Sequence, residues 1–504
     1  MSSNLHSLWE SAGGNVPDHW EFKTIEELLE NSKSISVGVM YPGQNTEDGV
    51  PLIRVSDVKN GAIASKPEFC ISLKIDEEYK RTRLNGTELL ITLVGTPGDC
   101  VIVTEEMAGW NAARALAVVR LADIEIRSWL RYVLLSKPAR HLIDVRLNTT
   151  VQKTLNLKDI RELGIPIPPK HEREEIVKVI DSIESKSLIN RQTNQTLEQI
   201  AQALFKSWFV DFDPVKAKIA AKQAGGTAEQ IERAAMAAIS GAVQGCTNVA
   251  GAGSAGATKT ETELDQLEAQ GRANAASTGC AEAASQYQNL KTTAALFPDE
   301  LVDSELGEIP KGWDIKLLSE ISENHSTTFD FSKVDEVVFV NTGDVSNGRF
   351  LHKNYTNKIG LPGQAKKSIK KNDILYSEIR PKNKRFAYVA EACDDYVVST
   401  KFMVIRSLGF VHPRYLYQIL RQEKTIREFN LIAESRSGTF PQITFDSIGY
   451  MPIVVPGKEI QEIFMEFFTP IIEKIDLVVK EEKNLIELRN SLLPKLLSGQ
   501  LLIS

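Results

Sequence analysis

The residues best suited to chemistry in this chain are bases gathered in one stretch. Between Lys353 and Arg406 stand twelve lysines and arginines against five acids, a local net of +7 inside a chain of net charge −7. Such an excess on an acidic protein suits a phosphate backbone, whose condensed counterions are released as Lys and Arg replace them. Lys366, Lys367 and Lys401 lie in this stretch, and EIRPKNKRFAY sets Arg380, Lys382, Asn383, Lys384 and Arg385 between two strand-like runs. A loop of that kind can enter a groove, where Arg bridges guanine O6 and N7 and Asn or Gln pairs with adenine. The expectation is that Lys382, Lys384 and Arg385 together contact phosphates; a solvated loop is the plainer alternative. Nearer the N-terminus the candidates are sparser: Lys80, Arg81, Arg83, Arg114, Arg120 and Arg140. Two polar stretches complete the set, LNTTVQK (Thr149, Thr150, Gln152, Lys153) and SRSGTFPQ (Arg436, Ser437, Thr439, Gln442).

Other chemistries find little support. GAGSAG at 251–256 matches a dinucleotide fingerprint in letters only, since it neither follows a strand nor opens an amphipathic helix. PDHWEFK offers Asp18, Glu21 and Lys23 within a few residues, whereas metal-dependent nucleases draw their carboxylates from separate strands to converge on one cation. There is no Asn-Pro-Pro or Asp-Pro-Pro tetrapeptide of the amino-methyltransferases and no P-loop. Seven histidines are dispersed, and five cysteines form no CxxC pair, so reduced, packed thiols are expected and no metal site.

The elements that must position the basic loops come in two copies. VPDHWEFKTIEELLE, with Pro17 and Trp20, matches IPKGWDIKLLSEISE, with Pro310 and Trp313. RVSDVKNGAI matches NTGDVSNGRF, and LNLKDIRELGIPIPPKHEREEI parallels ITFDSIGYMPIVVPGKEIQEI. Matched positions stay 286 to 293 residues apart in unchanged order, the signature of a duplicated unit. Each copy holds short runs rich in Val and Ile, such as ELLITLVG or DILYSEI, followed by segments of helical spacing, which makes each unit α+β. After each comes an apolar stripe at alternating spacings of three and four, from about Lys170 to Phe209 and from about Glu459 to Leu497. That repeat suits helices wound round each other, with two amphipathic helices each lying on its own unit as the plainer alternative, and the polar Ser187, Asn190 and Asn194 in the first stripe and Glu482 and Arg489 in the second can fix register. Residues 213–300, rich in Ala, Gly, Ser and Thr, read as a linker with one possible short helix.

At 504 residues and 42% hydrophobic content the chain has material for several cores, and wholesale disorder is excluded. No run reaches the length of a membrane span and no secretory leader opens the sequence, so a cytoplasmic protein without membrane contact is expected.

With these residues in view, the chain resembles the DNA-specificity subunit of type I restriction-modification systems. The two copies and their trailing helices carry the resemblance, together with LEQIAQALFKSWFVDFDPVKAK and LRNSLLPKLLSGQL. It implies two target-recognition domains, 1–168 and 301–456, in pseudo-twofold arrangement. Two long helices, 169–212 and 457–504, would join them as an antiparallel coiled coil that measures the spacer of a split double-stranded DNA target. It also implies that the chain is not an enzyme and holds no cofactor. Two methyltransferase subunits would bring S-adenosylmethionine and methylate adenine, and restriction subunits would bring ATP and Mg. Docking of those partners is assigned by analogy to the outer helix faces and to Trp208, Phe209 and Phe212, with packing at the helix end the equal alternative for these aromatics. Two rivals stand beside this reading: a coiled-coil scaffold or antirestriction module that never reads DNA, and a nuclease or methyltransferase with an unrecognised motif.

Overall fold

The computed structural model describes residues 2–59, 61–63, 66–147, 153–244, 278–436 and 440–501. They form two compact units: Met1–Gln192 with Val479–Ser504, and Thr193–Val478.

In the first unit a four-stranded antiparallel sheet runs in the order Ile35–Val37, Leu116–Val119, Leu89–Thr92, Cys100–Ile102. Its central strands, LLIT and LAVV, are buried at every position, and the two-residue period divides them between two cores. Leu89, Ile91, Ala117 and Val119 face a cluster with the helices Arg127–Leu135 and Lys137–Arg146, while Leu90, Leu116 and Val118 face a second cluster with Ile53 and Val101. A smaller sheet pairs Val50–Ile53 antiparallel with Cys70–Ile71 and parallel with Asn111–Ala112. Glu21–Thr24 pairs with Gly164–Ile167, so the opening Trp20 and the closing proline run meet. Trp20 packs on Trp129 at 5.5 Å, and the Trp129 indole donates to the Pro166 carbonyl at 2.8 Å.

The second unit repeats this plan. Ser322–Asn324, Phe402–Ser407, Ile374–Ser377 and Phe386–Tyr388 form the equivalent four-stranded sheet. Glu336–Val340 pairs antiparallel with Tyr355–Asn357 and parallel with Tyr396–Ser399. Asp314–Leu317 pairs with Pro452–Val455, closing this unit as the first is closed. Even a buried ion pair recurs. Arg120 binds Glu88 at 3.1 Å in the first unit, and Arg406 holds Asp373 through two bonds of 2.7 and 2.9 Å in the second. Both acids are essentially inaccessible to solvent.

Each unit contains parts of both long helices, Lys170–Phe209 and Lys458–Leu497. In the first unit Ile176 and Ile180 share a core with Leu496 and Leu497. Asn190 donates to Glu481 at 2.9 Å and Arg489 meets Glu184 at 3.5 Å, so the pairing there is antiparallel. Ser187, Asn190 and Asn194 are all buried, as the stripe predicts. In the second unit Phe464 packs on Phe205, Trp208 and Phe209 at 5.8, 5.5 and 4.9 Å.

The segment read as a linker differs from expectation. Its described residues form three helices, Asp213–Gln223, Ala228–Gln244 and Thr278–Leu296. Val215, Met236, Ile239 and Ala294 enter the core of the second unit, and buried Lys218 binds Glu232 and the Phe297 carbonyl at 2.9 and 2.8 Å. Alanine-rich composition serves close helix packing as well as flexibility, and the apolar positions of AEQIERAAMAAIS mark the buried face. The GAGSAG stretch lies outside the described residues.

Candidate nucleic-acid interface

In the second unit the fold gathers loops that are far apart in sequence at one end of the four-stranded sheet. The strand Ile374–Ser377 runs out into Glu378–Arg385, which carries a short 3₁₀ turn at Pro381–Asn383. Ile379 bridges Gln442, the Arg380 amide donates to the Pro441 carbonyl at 3.1 Å, and the Ile443 amide donates to Glu378 at 2.8 Å. The Glu378 amide reaches the Lys401 carbonyl at 3.0 Å, and the Thr400 amide reaches the Gln364 carbonyl at 2.8 Å. Arg380, Lys382, Lys401, Gln442 and, beside Gln364, Lys366 are thereby brought to one edge.

The side chains at this edge divide by what they already hold. Arg380, Lys366, Lys382 and Lys401 engage no hydrogen bond or ion pair among the described residues, and Arg380, Lys366 and Lys382 are exposed, as is Asn383. Lys384 is ion-paired with Glu423, and the Arg385 guanidinium donates to the Gly343 and Val345 carbonyls at 2.6 and 3.1 Å. Both therefore anchor the loop, which reduces the expected phosphate-binding trio to Lys382. Lys367 is half-buried, donates to the Phe402 carbonyl at 2.6 Å, and has its pKa lowered by burial. Arg436 donates to Thr444 Oγ1 at 3.1 Å and keeps an exposed position. Ser437 and Thr439 lie outside the described residues.

The first unit forms the same edge from different residues. Val94 bridges Thr154, the Leu155 amide donates to Leu93 at 2.9 Å, and the Leu93 amide donates to Ala115 at 2.8 Å. Each bond has its counterpart 285 to 288 residues later, at Ile379–Gln442, Ile443–Glu378 and Glu378–Lys401. Exposed Arg114 and Lys153 belong to this edge. Thr149, Thr150 and Gln152 lie outside the described residues.

Lys80, Arg81 and Arg83 are not brought there. Arg120 follows the far end of the strand that Arg114 precedes, and its guanidinium binds the Arg81 and Arg83 carbonyls at 2.9 Å. Arg83 is itself paired with Asp76 and Glu77, which raises its pKa, and Lys80 pairs with Glu77 at 3.0 Å. Arg140 binds the Pro97 carbonyl at 2.9 Å and also Asp99, fixing the loop after Thr92. That loop, VGTPGD at 94–99, escaped the search for charge because it has no base. Aligning TLVGTPGDCVI with YSEIRPKNKRFAY would have found it.

The aromatics assigned to partner docking require correction. Trp208, Phe209 and Phe212 are 0%, 4% and 8% exposed and sit in the core of the second unit. Phe209 and Phe212 pack on Trp313 at 5.9 and 5.6 Å, and Trp208 packs on Phe297 at 5.2 Å. Rings so enclosed offer a partner no area; their apolar bulk stabilises the helix end instead. Among the described residues, no group of three or more His, Cys, Asp or Glu could hold a metal ion, and no helix is long and apolar enough to cross a membrane.

The type I restriction modification DNA specificity domain matches the chain twice, over residues 17–199 and 310–488. The chain belongs to this family. Its two matched segments fall on the two copies recognised from sequence. Curated relatives include the HindI specificity subunit of Haemophilus influenzae, 49% identical over 36% of this chain, and the EcoBI specificity subunit of Escherichia coli, 30% identical over 37%. The chain spans 39% of the length of each of these two relatives. Among solved structures, the type I S subunit from M. genitalium covers 95% of this chain and 96% of its own at a TM-score of 0.51 and 13% identity, a likeness of fold. The two-copy α+β architecture with paired long helices is thus the family's fold.

Proposed function

We propose that this chain is the sequence-reading subunit of a type I restriction-modification complex. Residues 1–168 and 301–456 act as target-recognition domains, each reading one half of a split double-stranded DNA target, and the long helices Lys170–Phe209 and Lys458–Leu497 set the spacer. The observation that carries this reading is the loop edge built twice on the same hydrogen-bond framework. A constant scaffold with different side chains at its rim suits two different half-sites.

Lysines 366, 382 and 401 neutralise phosphates in the second half, and Arg114 and Lys153 do so in the first. Phosphate contacts fix orientation, and base edges are read by Arg380, Asn383, Gln442 and Arg436. Lys80 and Arg81 form a second, separate basic group in the first unit. The chain contributes no catalytic group. Two methyltransferase subunits supply S-adenosylmethionine, restriction subunits supply ATP and Mg, and the complex works in the cytoplasm. The partners dock on the outer faces of the paired helices.

Deleting the gene and mapping N6-methyladenine across the host genome tests this. Loss of methylation at a two-part motif with a fixed gap is expected. An unchanged methylation pattern, with no DNA retained by the purified complex, would favour a scaffold that never reads DNA.

A further inference from the structure

The two units turn the same corner with opposite kinds of residue. After the strand Leu89–Thr92 the first unit places Gly95 at φ +79 and Gly98 at φ +88. After Ile374–Ser377 the second unit places Arg380 at φ 45 and Lys384 at φ 52. The correspondence is fixed by the flanking bonds, because Val94–Thr154 matches Ile379–Gln442 and Ile91–Cys100 matches Tyr376–Phe386. Left-handed backbone costs glycine almost nothing, whereas it strains residues bearing a Cβ. The corner therefore demands glycine geometry, and the second unit meets the demand with two cations.

Their side chains explain only one of the two substitutions internally. Lys384 is held by Glu423, so its charge ties the loop to the helix Glu423–Arg436. The Arg380 guanidinium engages nothing among the described residues and is exposed at the loop's outer edge. Meanwhile its backbone is fixed on both sides. Its amide donates to Pro441, Ile379 is bridged to Gln442, and the following Pro381 is buried and disfavours the right-handed helical basin for the residue before it. A flexible lysine could neutralise a phosphate from this edge without any backbone strain. A guanidinium fork carried on a fixed backbone suits a place where two acceptors must be met at once.

We propose that Arg380 is the residue through which the second unit discriminates a guanine in its half-site, held for that task in a left-handed corner where the first unit places glycine. The role rests on the DNA-reading function proposed above. The lysines supply affinity, and Arg380 supplies the choice of base.

The test replaces Arg380 in the full chain in its host by Gly, Lys or Ala, and reads methylated fractions at the motif and at its single-base variants. Thermal melting of each purified chain runs in parallel. Arg380→Gly should melt at or above the wild-type midpoint, because the corner is relaxed, yet lose tenfold or more of the discrimination at one G·C pair. Arg380→Lys should retain overall methylation and lose the same discrimination. Arg380→Ala should lose discrimination and melt below Arg380→Gly. Full discrimination by the Gly or the Lys variant overturns the role. So does a Gly variant that melts well below wild type, since the arginine would then be structural. A wild-type chain that directs no split motif overturns the DNA-reading function together with it.

Discussion

Replacing Lys366, Lys382 and Lys401 by glutamine removes three positive charges that no described group in the protein engages. If each neutralises one phosphate, the slope of log affinity against log salt falls by about 0.9 per residue, or about 2.7 in all. Between 50 and 200 mM salt that difference amounts to about 40-fold, so the wild-type complex should lose about 40 times more affinity over this range than the variant. Fluorescence anisotropy with a labelled duplex carrying the split target, titrated at four or five salt concentrations, measures both slopes. A matched control replaces Lys384 and Arg385, whose side chains hold Glu423 and the carbonyls of Gly343 and Val345. That control should lower the melting temperature and leave the slope nearly unchanged. Equal slopes for wild type and the three-lysine variant would refute the placement of the phosphate backbone along this edge.

Four substitutions of buried groups and their partners test the packing. Arg406→Ala leaves Asp373 without its two-pronged partner and should cost about 3 kcal/mol in denaturant unfolding, the low end for a broken buried pair because the arginine is partly solvated. Arg120→Ala should do the same through Glu88 in the first unit, and a cost below about 1 kcal/mol at either site would contradict the repeated ion pair. Asn194 is buried with neither amide atom bonded, so Asn194→Leu should raise stability by about 1–2 kcal/mol, seen as a higher melting midpoint. Phe464→Ala removes the ring on which Phe205, Trp208 and Phe209 pack and should cost about 3–5 kcal/mol.

Much of the scaffold was written in patterns that local physics reads directly. Trp20 and Trp313 mark equivalent entries, and the helix Lys170–Phe209 follows its apolar stripe to the last residue expected. The strands LLIT and LAVV are apolar but for Thr92 and buried throughout because both faces are covered, a feature that their composition conveys. What escaped was set by tertiary context. The Ala-rich helices after Phe212 read as a linker because a composition of Ala, Gly, Ser and Thr also suits a flexible tether, yet they supply Val215, Met236 and Ile239 to a core. Charge counting found the basic loops but could not tell Lys382 from Lys384, because Glu423 lies 39 residues away in sequence. It also grouped Arg83 and Arg120 with the DNA candidates, although both are spent on ion pairs inside the first unit. The loop at 94–99 carries no lysine or arginine, so only its place in the repeat reveals it.

If each unit reads its own half of one split target, the halves can be exchanged separately. Residues 314–455, from the strand after Trp313 to the strand before the second long helix, are replaced by the matching segment of a family member with a known, different target. The methylation motif directed by the hybrid is then mapped. One half of the motif should change to the donor's while the other half and the gap between them stay as they were. A hybrid that folds and methylates but alters both halves, or neither, would contradict it.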